Sequence, residues 1–255
     1  MIVIKSQKEI DLMRKAGEAV AIVLEKLEQA IKPGVTTKEL DKLAEELIIG
    51  MRGIPAFKGY KGIPGAPDFP ACICTSVNDE VIHGIPGNRT LKDGDIISID
   101  VGVEIDGFNA DAARTYSVGK ITEKAQKLIK TTKDSFFKGI ENAIEGKRMS
   151  DISGAIQDYV ENVGFSVVRE YVGHGIGRQM HESPEVPNYR TPIRGPRLQK
   201  GMTLAIEPMV NEKNYNVKLL ENRWTVVTSD GGLSAHYENT VAVTDGKPLI
   251  LTVIN

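Results

Sequence analysis

A chain of 255 residues, 41% apolar and 26% charged, can bury a substantial core in one large domain or two small halves. Its net charge of −2, without a long block of like charge, argues against a nucleic-acid or membrane-surface partner. No apolar run nears the roughly 18 residues of a spanning helix, and the opening MIVIKSQKEIDLMRKAGEAV lacks the form of a signal peptide, so a cytoplasmic protein is expected.

Ser6 followed by Glu9 forms a capping box that opens a helix. Ile10, Met13, Val20, Val23, Leu24 and Leu27 recur at helical spacing until Pro33-Gly34 stops it. A second helix is predicted from about Thr36, with Glu39 three residues on and Leu40, Leu43, Ala44, Leu47 and Ile48 on its apolar face. The strand-like segments ACICTSVN, DIISIDVGVEI and GFNADAARTYSVG follow. From about Ile121 the order repeats: helices near 122–145 and 150–163, then strands at FSVVREYV, MTLAIEPMV, RWTVVTS and AHYENTVAVT. A shift of 112 places Leu40 on Ile152, Ala44 on Ile156, Ile48 on Val160 and Met51 on Val163. The match is that of an internal duplication with halves about 1–118 and 119–255, or of two amphipathic helices slid into register. Two such αβ halves leave a cleft between their sheets.

No Pro/Ser-rich linker or low-complexity tract divides the chain. The loops KGIPGAPDFPA (61–71) and NYRTPIRGPRLQKG (188–201) are rich in Gly and Pro and read as surface. The second carries Arg190, Arg194, Arg197 and Lys200, either a solvated face or a docking patch for a large acidic partner. The two cysteines, Cys72 and Cys74, are expected to be reduced thiols, because residues two apart on a strand are poorly placed to bond each other.

SIDVGVEIDGFNAD carries carboxylates at Asp100 and Asp111 where core-facing residues belong, and a buried carboxylate is costly unless something positive compensates it. If Asp106-Gly107 is a two-residue turn, Asp111 falls opposite Gly102 and diagonal to Asp100. Two acids so placed are turn-flanking surface groups or carboxylates joined by a cation. His174 sits between two glycines that let the backbone approach another element, in a triplet that does not match a nucleotide loop. Glu207 stands in an apolar strand, held extended by Pro208; Glu238 shares a face with His236 and Thr240. A single buried Glu is commonly a satisfied core acid. Four carboxylates and an imidazole without thiolate instead suit a pair of Mn, Fe or Co ions, with Asp111 and Glu238 able to bridge them. The metals' charge would neutralise acids that could not otherwise be buried together.

HGIP, SIDVGVEIDGFNAD, YVGHGIGRQMHESP, TLAIEPMV and SAHYENT, in this order and spacing, resemble the type I methionine aminopeptidases of the bacterial kind, in the M24 metallopeptidase family. The resemblance covers essentially the whole chain. It implies one catalytic domain over 1–255, an α/β (α+β) pita-bread fold with a pseudo-twofold duplication, and a dinuclear site in the central cleft. It makes Asp100, Asp111, His174, Glu207 and Glu238 metal ligands, and His83 and His181 substrate-contacting residues. Tyr60, Cys74, Met180 and Trp224 fall where the family lines its methionine pocket; ordinary core packing is the other reading of Met180 and Trp224. Ile63 and Met180 depart from the aromatic residues of some relatives, and the 61–71 loop is longer than in compact ones.

The implied cofactors are two divalent ions (Co, Mn, Fe(II) or Zn), whose identity in the cell the sequence does not decide. The implied reaction removes the initiator methionine from nascent chains, preferentially when the second residue is small. Paired cations would lower the pKa of a shared water, Glu207 would carry its proton to the leaving amine, and His181 and His83 would stabilise the oxyanion and position the amide. The expected partners are peptide N-termini, with the basic loop near Arg194 a candidate ribosome contact, and the expected state is a monomer. The rivals are an X-Pro aminopeptidase or prolidase, which usually carries a large N-terminal domain where this chain's helices begin at residue 6, and a non-catalytic binding protein on the same fold. The role of His236 stays open.

Overall fold

The computed structural model describes residues 1–62 and 65–254. Its elements in chain order begin with α1 (Gln7–Ala30), α2 (Thr37–Gly50), β1 (Ile54–Pro55), β2 (Ile73–Val77), β3 (Glu80–Ile82), β4 (Ile96–Ile105) and β5 (Phe108–Ser117). Next come α3 (Glu123–Ile140), α4 (Met149–Asn162), β6 (Ser166–Val167), β7 (Gly173–Gly175), β8 (Glu182–Val186), β9 (Thr203–Ile206) and β10 (Met209–Asn211). The chain closes with β11 (Val217–Leu219), β12 (Val226–Thr228), β13 (Ser234–His236), β14 (Asn239–Ala242) and β15 (Leu249–Ile250).

Both N-terminal helices start at reciprocal capping boxes, Ser6 with Glu9 and Thr36 with Glu39. Helix α1 buries Val20, Val23, Leu24 and Leu27 in one stripe, each side chain worth about 1.5–3 kcal/mol relative to exposure. That stripe and the Leu40–Ala44–Ile48 face of α2 pack on one side of the β4–β5 ladder, against Ile97, Ile99, Val101, Val103, Ala110 and Ala112. Because side chains alternate along a strand, Ser98, Asp100 and Gly102 point to the other face, as do their partners Thr115, Ala113 and Asp111. The second half has its own core, in which Phe136, Ile152 and Ile156 meet Leu204, Ile206 and Val241. Helices α2 and α4 are each 14 residues long, and α4 buries Ile152, Ile156 and Val160 where α2 buries Leu40, Ala44 and Ile48.

Among the described residues, β4 is flanked by β5 on one edge and by β1 and β2 on the other, and a five-stranded sheet runs β15-β14-β9-β7-β8. Two three-stranded sheets, β13-β10-β6 and β11-β12-β3, complete the set. Three sequence expectations are corrected here. Helix α3 stops at Ile140, not near 145, because Ala143 N–H closes a tight turn on Ile140 O and Glu145 N–H goes to Thr244 O. The FSVVREYV strand shortens to Ser166–Val167, beyond which Arg169 turns away to stack over Tyr215 at 4.0 Å. MTLAIEPMV and AHYENTVAVT are each two strands, broken at Glu207-Pro208 and at Tyr237-Glu238.

Those two breaks face each other. Ile206 pairs with Asn239 and Met209 with His236, so two residues separate the pairs on each strand and Glu207 falls opposite Glu238. Tyr237 N–H still reaches Pro208 O at 3.3 Å. One long hairpin register therefore passes from the five-stranded sheet into a three-stranded one, interrupted where the glutamates stand. Proline offers no N–H to a ladder.

Candidate metal centre

The β4–β5 hairpin turns at Asp106 and Gly107, both at positive φ (53° and 76°), the geometry of a two-residue type I′ turn. The register puts Asp111 opposite Gly102 and Asp100 opposite Ala113, so the two aspartates are diagonal neighbours. A Cβ on Gly102 would meet Phe57 Cε1 at 2.6 Å and Met180 Cε at 2.7 Å, so the space beside the pair is filled from below. His174 lies on β7, threaded between backbones: a Cβ on Gly173 would meet Ala205 O, and one on Gly175 would meet Ser183 O, each at 2.3 Å. Its Nδ1 lies 2.9 Å from Gly175 O. A carbonyl only accepts, so Nδ1 carries the proton and Nε2 keeps its lone pair for the cleft.

From the second half come Glu207, its carbonyl held by Asn188 Nδ2 at 3.0 Å, and Glu238, 1% exposed. Segment 236–240 lies antiparallel to segment 111–115. Glu238 N–H donates to Ala113 O at 2.9 Å in the middle of the pair. Two threonines flank that bond. Thr240 Oγ1 accepts from Asp111 N–H and donates to Asp111 O, both at 2.9 Å. Thr115 Oγ1 accepts from His236 N–H at 2.8 Å and donates to His236 O at 2.9 Å. Arg114 adds bonds to Glu238 O and to Asn239 Oδ1, and lies 4.2 Å over the Tyr237 ring. The two halves are thus clasped beside the carboxylates.

The electrostatics are those of a site short of positive charge. Burial raises Asp100 to about 7 and lifts Asp111, Glu207 and Glu238 well above the usual carboxylate range, and the neighbouring acids add to the shift of the last three. Burial also pushes His174 to about 3, with His181 contributing, and His83 to about 4. Asp100 Oδ1, Asp111 Oδ1, Glu238 Oε1 and His236 Nε2 are buried without a hydrogen-bond partner, an arrangement that costs about 1–3 kcal/mol per neutral group and more per charge. Donor atoms of Asp111, His174 and Glu238 lie within 4.8 Å of one another, as do those of Glu207, His236 and Glu238. The two clusters share Glu238. Orphaned oxygens on hard donors beside a free imidazole nitrogen fit a divalent cation.

The clusters open into a cavity of about 350 Å³ lined by Tyr60, Cys74, His83, His181 and Trp224, together with Asp100, Asp111, His174, Glu207 and Glu238. Met180 is not on its surface: 6% exposed, it fills the space under Gly102. Ile63 lies outside the described residues. His181 stands exposed at the mouth, Nδ1 2.8 Å from the Tyr60 hydroxyl and its ring centroid 4.1 Å from that of His174. His83 holds φ 57°, a region costly for a non-glycine residue, and meets Tyr171 and Trp224 edge-on at 6.1 and 6.3 Å. Sequence reasoning missed Phe57, Phe69 and Tyr171 in the wall. Phe69 sits against Trp224 at 5.1 Å, and Pro67 O accepts from Trp224 Nε1 at 2.9 Å, so Pro67 and Phe69 build this wall by packing on the indole. Cys72 and Cys74 are free thiols. Of the basic loop, Arg190 pairs with Asp158, Lys200 with Asp245 and Arg197 with Gly146 O.

Residues 11–245 match the model of metallopeptidase family M24. The chain is 59% identical to the methionine aminopeptidase of Clostridium acetobutylicum over 99% of both sequences, and 53% identical to methionine aminopeptidase 1 of Bacillus subtilis over 99% of both. It superposes on the solved methionine aminopeptidase of Thermotoga maritima with a TM-score of 0.95 at 46% identity, covering 99% of this chain and 100% of that one. The prolidase of Pyrococcus horikoshii, at 23% identity and TM-score 0.78, shares the fold, with 65% of its length covered. The chain belongs to metallopeptidase family M24 and, within it, to the methionine aminopeptidases, hydrolases that remove an N-terminal methionine.

Proposed function

We propose that the cleft binds two divalent cations through Asp100, Asp111, His174, Glu207 and Glu238, with Glu238 shared between them. One observation carries this reading: two three-residue donor clusters meet at Glu238, beside buried oxygens of Asp100, Asp111 and Glu238 that have no hydrogen-bond partner. Ions held by these residues would supply Lewis acidity for a carbonyl and for water at neutral pH.

The protein's own groups do the rest. Glu207, half-buried and held by its backbone, takes the proton of the attacking water and delivers it to the leaving amine. Tyr60 Oη and His181 Nδ1 lie 2.8 Å apart; with the hydroxyl as donor in that contact, the neutral ring keeps its proton on Nε2 for the developing oxyanion. His83, braced by two aromatic edges, orients the scissile amide. Tyr60, Phe69, Cys74 and Trp224, which line the cavity, receive the methionine side chain, and a small second residue is the preferred one.

Titration with Mn²⁺ tests the reading. Two equivalents are expected for the wild-type protein and fewer for Glu238→Ala; uptake of a single equivalent by the wild type refutes it. Among candidate ions, Co, Mn, Fe(II) and Zn all suit these donors. Release of Met from Met-Ala-Ser should far exceed cleavage of an X-Pro dipeptide, and the reverse preference would overturn the substrate assignment.

The matching 14-residue helices, with buried positions in register, support an internal duplication with halves near 1–118 and 119–255 in one catalytic domain. No described helix is long and apolar enough to cross a membrane. The proposed substrate, the N-terminus of a nascent chain, places the reaction in the cytoplasm, and the proposed state is a monomer. Ribosome contact rests on Arg194, since the loop's other cations are already engaged. Charge reversal there should lower co-sedimentation with ribosomes, and an unaltered pellet fraction ends that idea.

A further inference from the structure

His236 has no role assigned from the sequence, yet its imidazole is 2% exposed and Nε2 is buried without a partner. That nitrogen lies 3.6 Å from Glu207 Oε2 and 3.9 Å from Glu238 Oε2. Both separations exceed a hydrogen bond, for which N–H···O runs about 2.7–3.2 Å. They are the separations of atoms that share an ion. Donors about 2.1 Å from one cation lie roughly 3.0–4.2 Å apart as the angle between them opens from a right angle to a straight line. His174 Nε2 stands in the same relation to the other oxygen of Glu207, at 3.7 Å from Oε1. One carboxylate therefore has an imidazole nitrogen facing each of its oxygens.

The position of His236 is built, not accidental. Thr115 Oγ1 holds both its N–H and its C=O. The single hydroxyl proton of Thr115 goes to the carbonyl, so Ser98 must donate to Thr115 Oγ1 across their 2.8 Å contact. Thr115, Ser98 and His236 are all buried, and the backbone that aims the ring is fixed by three bonds before any ion arrives.

We propose that His236 Nε2 is a sixth protein ligand, binding the cation held between Glu207 and Glu238. Each of the two donor clusters then contains one imidazole and two carboxylates, His174 in one and His236 in the other, with Asp100 as a further carboxylate of the site. A second nitrogen tilts the site toward the borderline ions Co, Fe and Zn and away from Mn, which prefers oxygen.

This inference rests on the two-cation reading, and the test separates the two. Metal-free protein is titrated anaerobically with Co²⁺, followed by visible absorption and calorimetry, and the Mn²⁺ form is examined by pulsed EPR for nitrogen couplings. Wild type, His236→Gln and His236→Ala are compared, with circular dichroism of each metal-free protein as the folding control. His236→Asn replaces any variant that fails to fold. The expected result is two Co²⁺ in the wild type, a loss of at least about tenfold in affinity at one of the two positions in His236→Gln, and nitrogen coupling reduced from two imidazoles to one. Millimolar imidazole should restore the lost site in His236→Ala, a rescue that a packing role would not permit. Two ions bound by wild type and His236→Gln within about twofold of each other, with unchanged nitrogen couplings, overturn the assignment and leave the two-cation reading standing. A single ion in the wild type brings down both.

Discussion

Thr240→Val removes one hydroxyl and little volume, and the structure fixes what is lost. Thr240 is 0% exposed, and its Oγ1 makes both the bond from Asp111 N–H and the bond to Asp111 O. A net hydrogen bond is worth about 0.5–1.5 kcal/mol, and a buried donor or acceptor left unpaired costs about 1–3 kcal/mol. With two groups orphaned on a buried strand, destabilisation of roughly 2–4 kcal/mol follows, since the strands relax to recover part of the loss. At about 2–4 °C per kcal/mol for a chain of this size, the metal-free protein should melt roughly 4–16 °C lower. Thr240→Ser keeps the hydroxyl and should recover most of the difference. Thermal melts and urea titrations of the chelated proteins measure it. A Thr240→Val melt within 1 °C of wild type, or equal losses in Val and Ser variants, would refute the claim that this hydroxyl clasps the halves.

Glu207→Gln should leave a folded protein with kcat reduced by about 10²–10⁴; undiminished turnover of Met-Ala-Ser removes the proton-transfer role. Burial keeps Asp111, Glu207 and Glu238 protonated in the metal-free fold at pH values where the unfolded chain has released those protons. The folded state then binds more protons, so stability from these groups falls as pH rises from about 4 through the raised values. Metal reverses the sign by holding the charged forms, so the gain in melting temperature on adding Mn²⁺ should be larger at pH 8 than at pH 5.5, and a pH-independent gain contradicts this. Calorimetric heats of Mn²⁺ binding should vary with buffer ionisation enthalpy, because protons leave as the ion enters; identical heats in all buffers contradict that release. Gly175→Ala drives a Cβ to 2.3 Å from Ser183 O, a backbone atom that cannot swing aside. It should destabilise by about 1–3 kcal/mol or more and weaken metal uptake through His174, whereas a wild-type melt and affinity would show the contact to be slack.

Local chemistry was legible in the sequence and long-range pairing was not. The turn pair Asp106-Gly107 alone set the register that brings Asp100 and Asp111 together, and the capping boxes set where α1 and α2 begin. Gly173 and Gly175 signalled a close backbone approach, and the structure shows which carbonyls come near. By contrast, the opposition of Glu207 and Glu238 spans a connection that contains β11 and β12, and no local pattern carries that information. Pro208 was the available hint, since proline inside a strand marks a break. The role of His236 stayed open for the same reason: its partner Met209 sits across that long connection. Phe57, Phe69 and Tyr171 are aromatic residues in loops or at their edges, and only the tertiary fold brings them together as a wall, Phe69 through its packing on Trp224. Met180, grouped with the pocket by position, lies beneath it because Gly102 leaves the room.

The interruption at Glu207-Pro208 and Tyr237-Glu238 has a consequence for anyone who would transplant this chemistry. Copying the cleft's acids and imidazoles onto an ordinary meander would reproduce the letters and lose the geometry. On an unbroken ribbon, facing glutamates repel each other, and nothing lets the chain leave one layer for the next beside them. Here the discontinuity routes the polypeptide from one sheet to another at the spot where the acids stand. Replacing Pro208 with a strand-former such as Val would offer the missing N–H, invite the two layers to fuse, and turn a crevice into a flat wall.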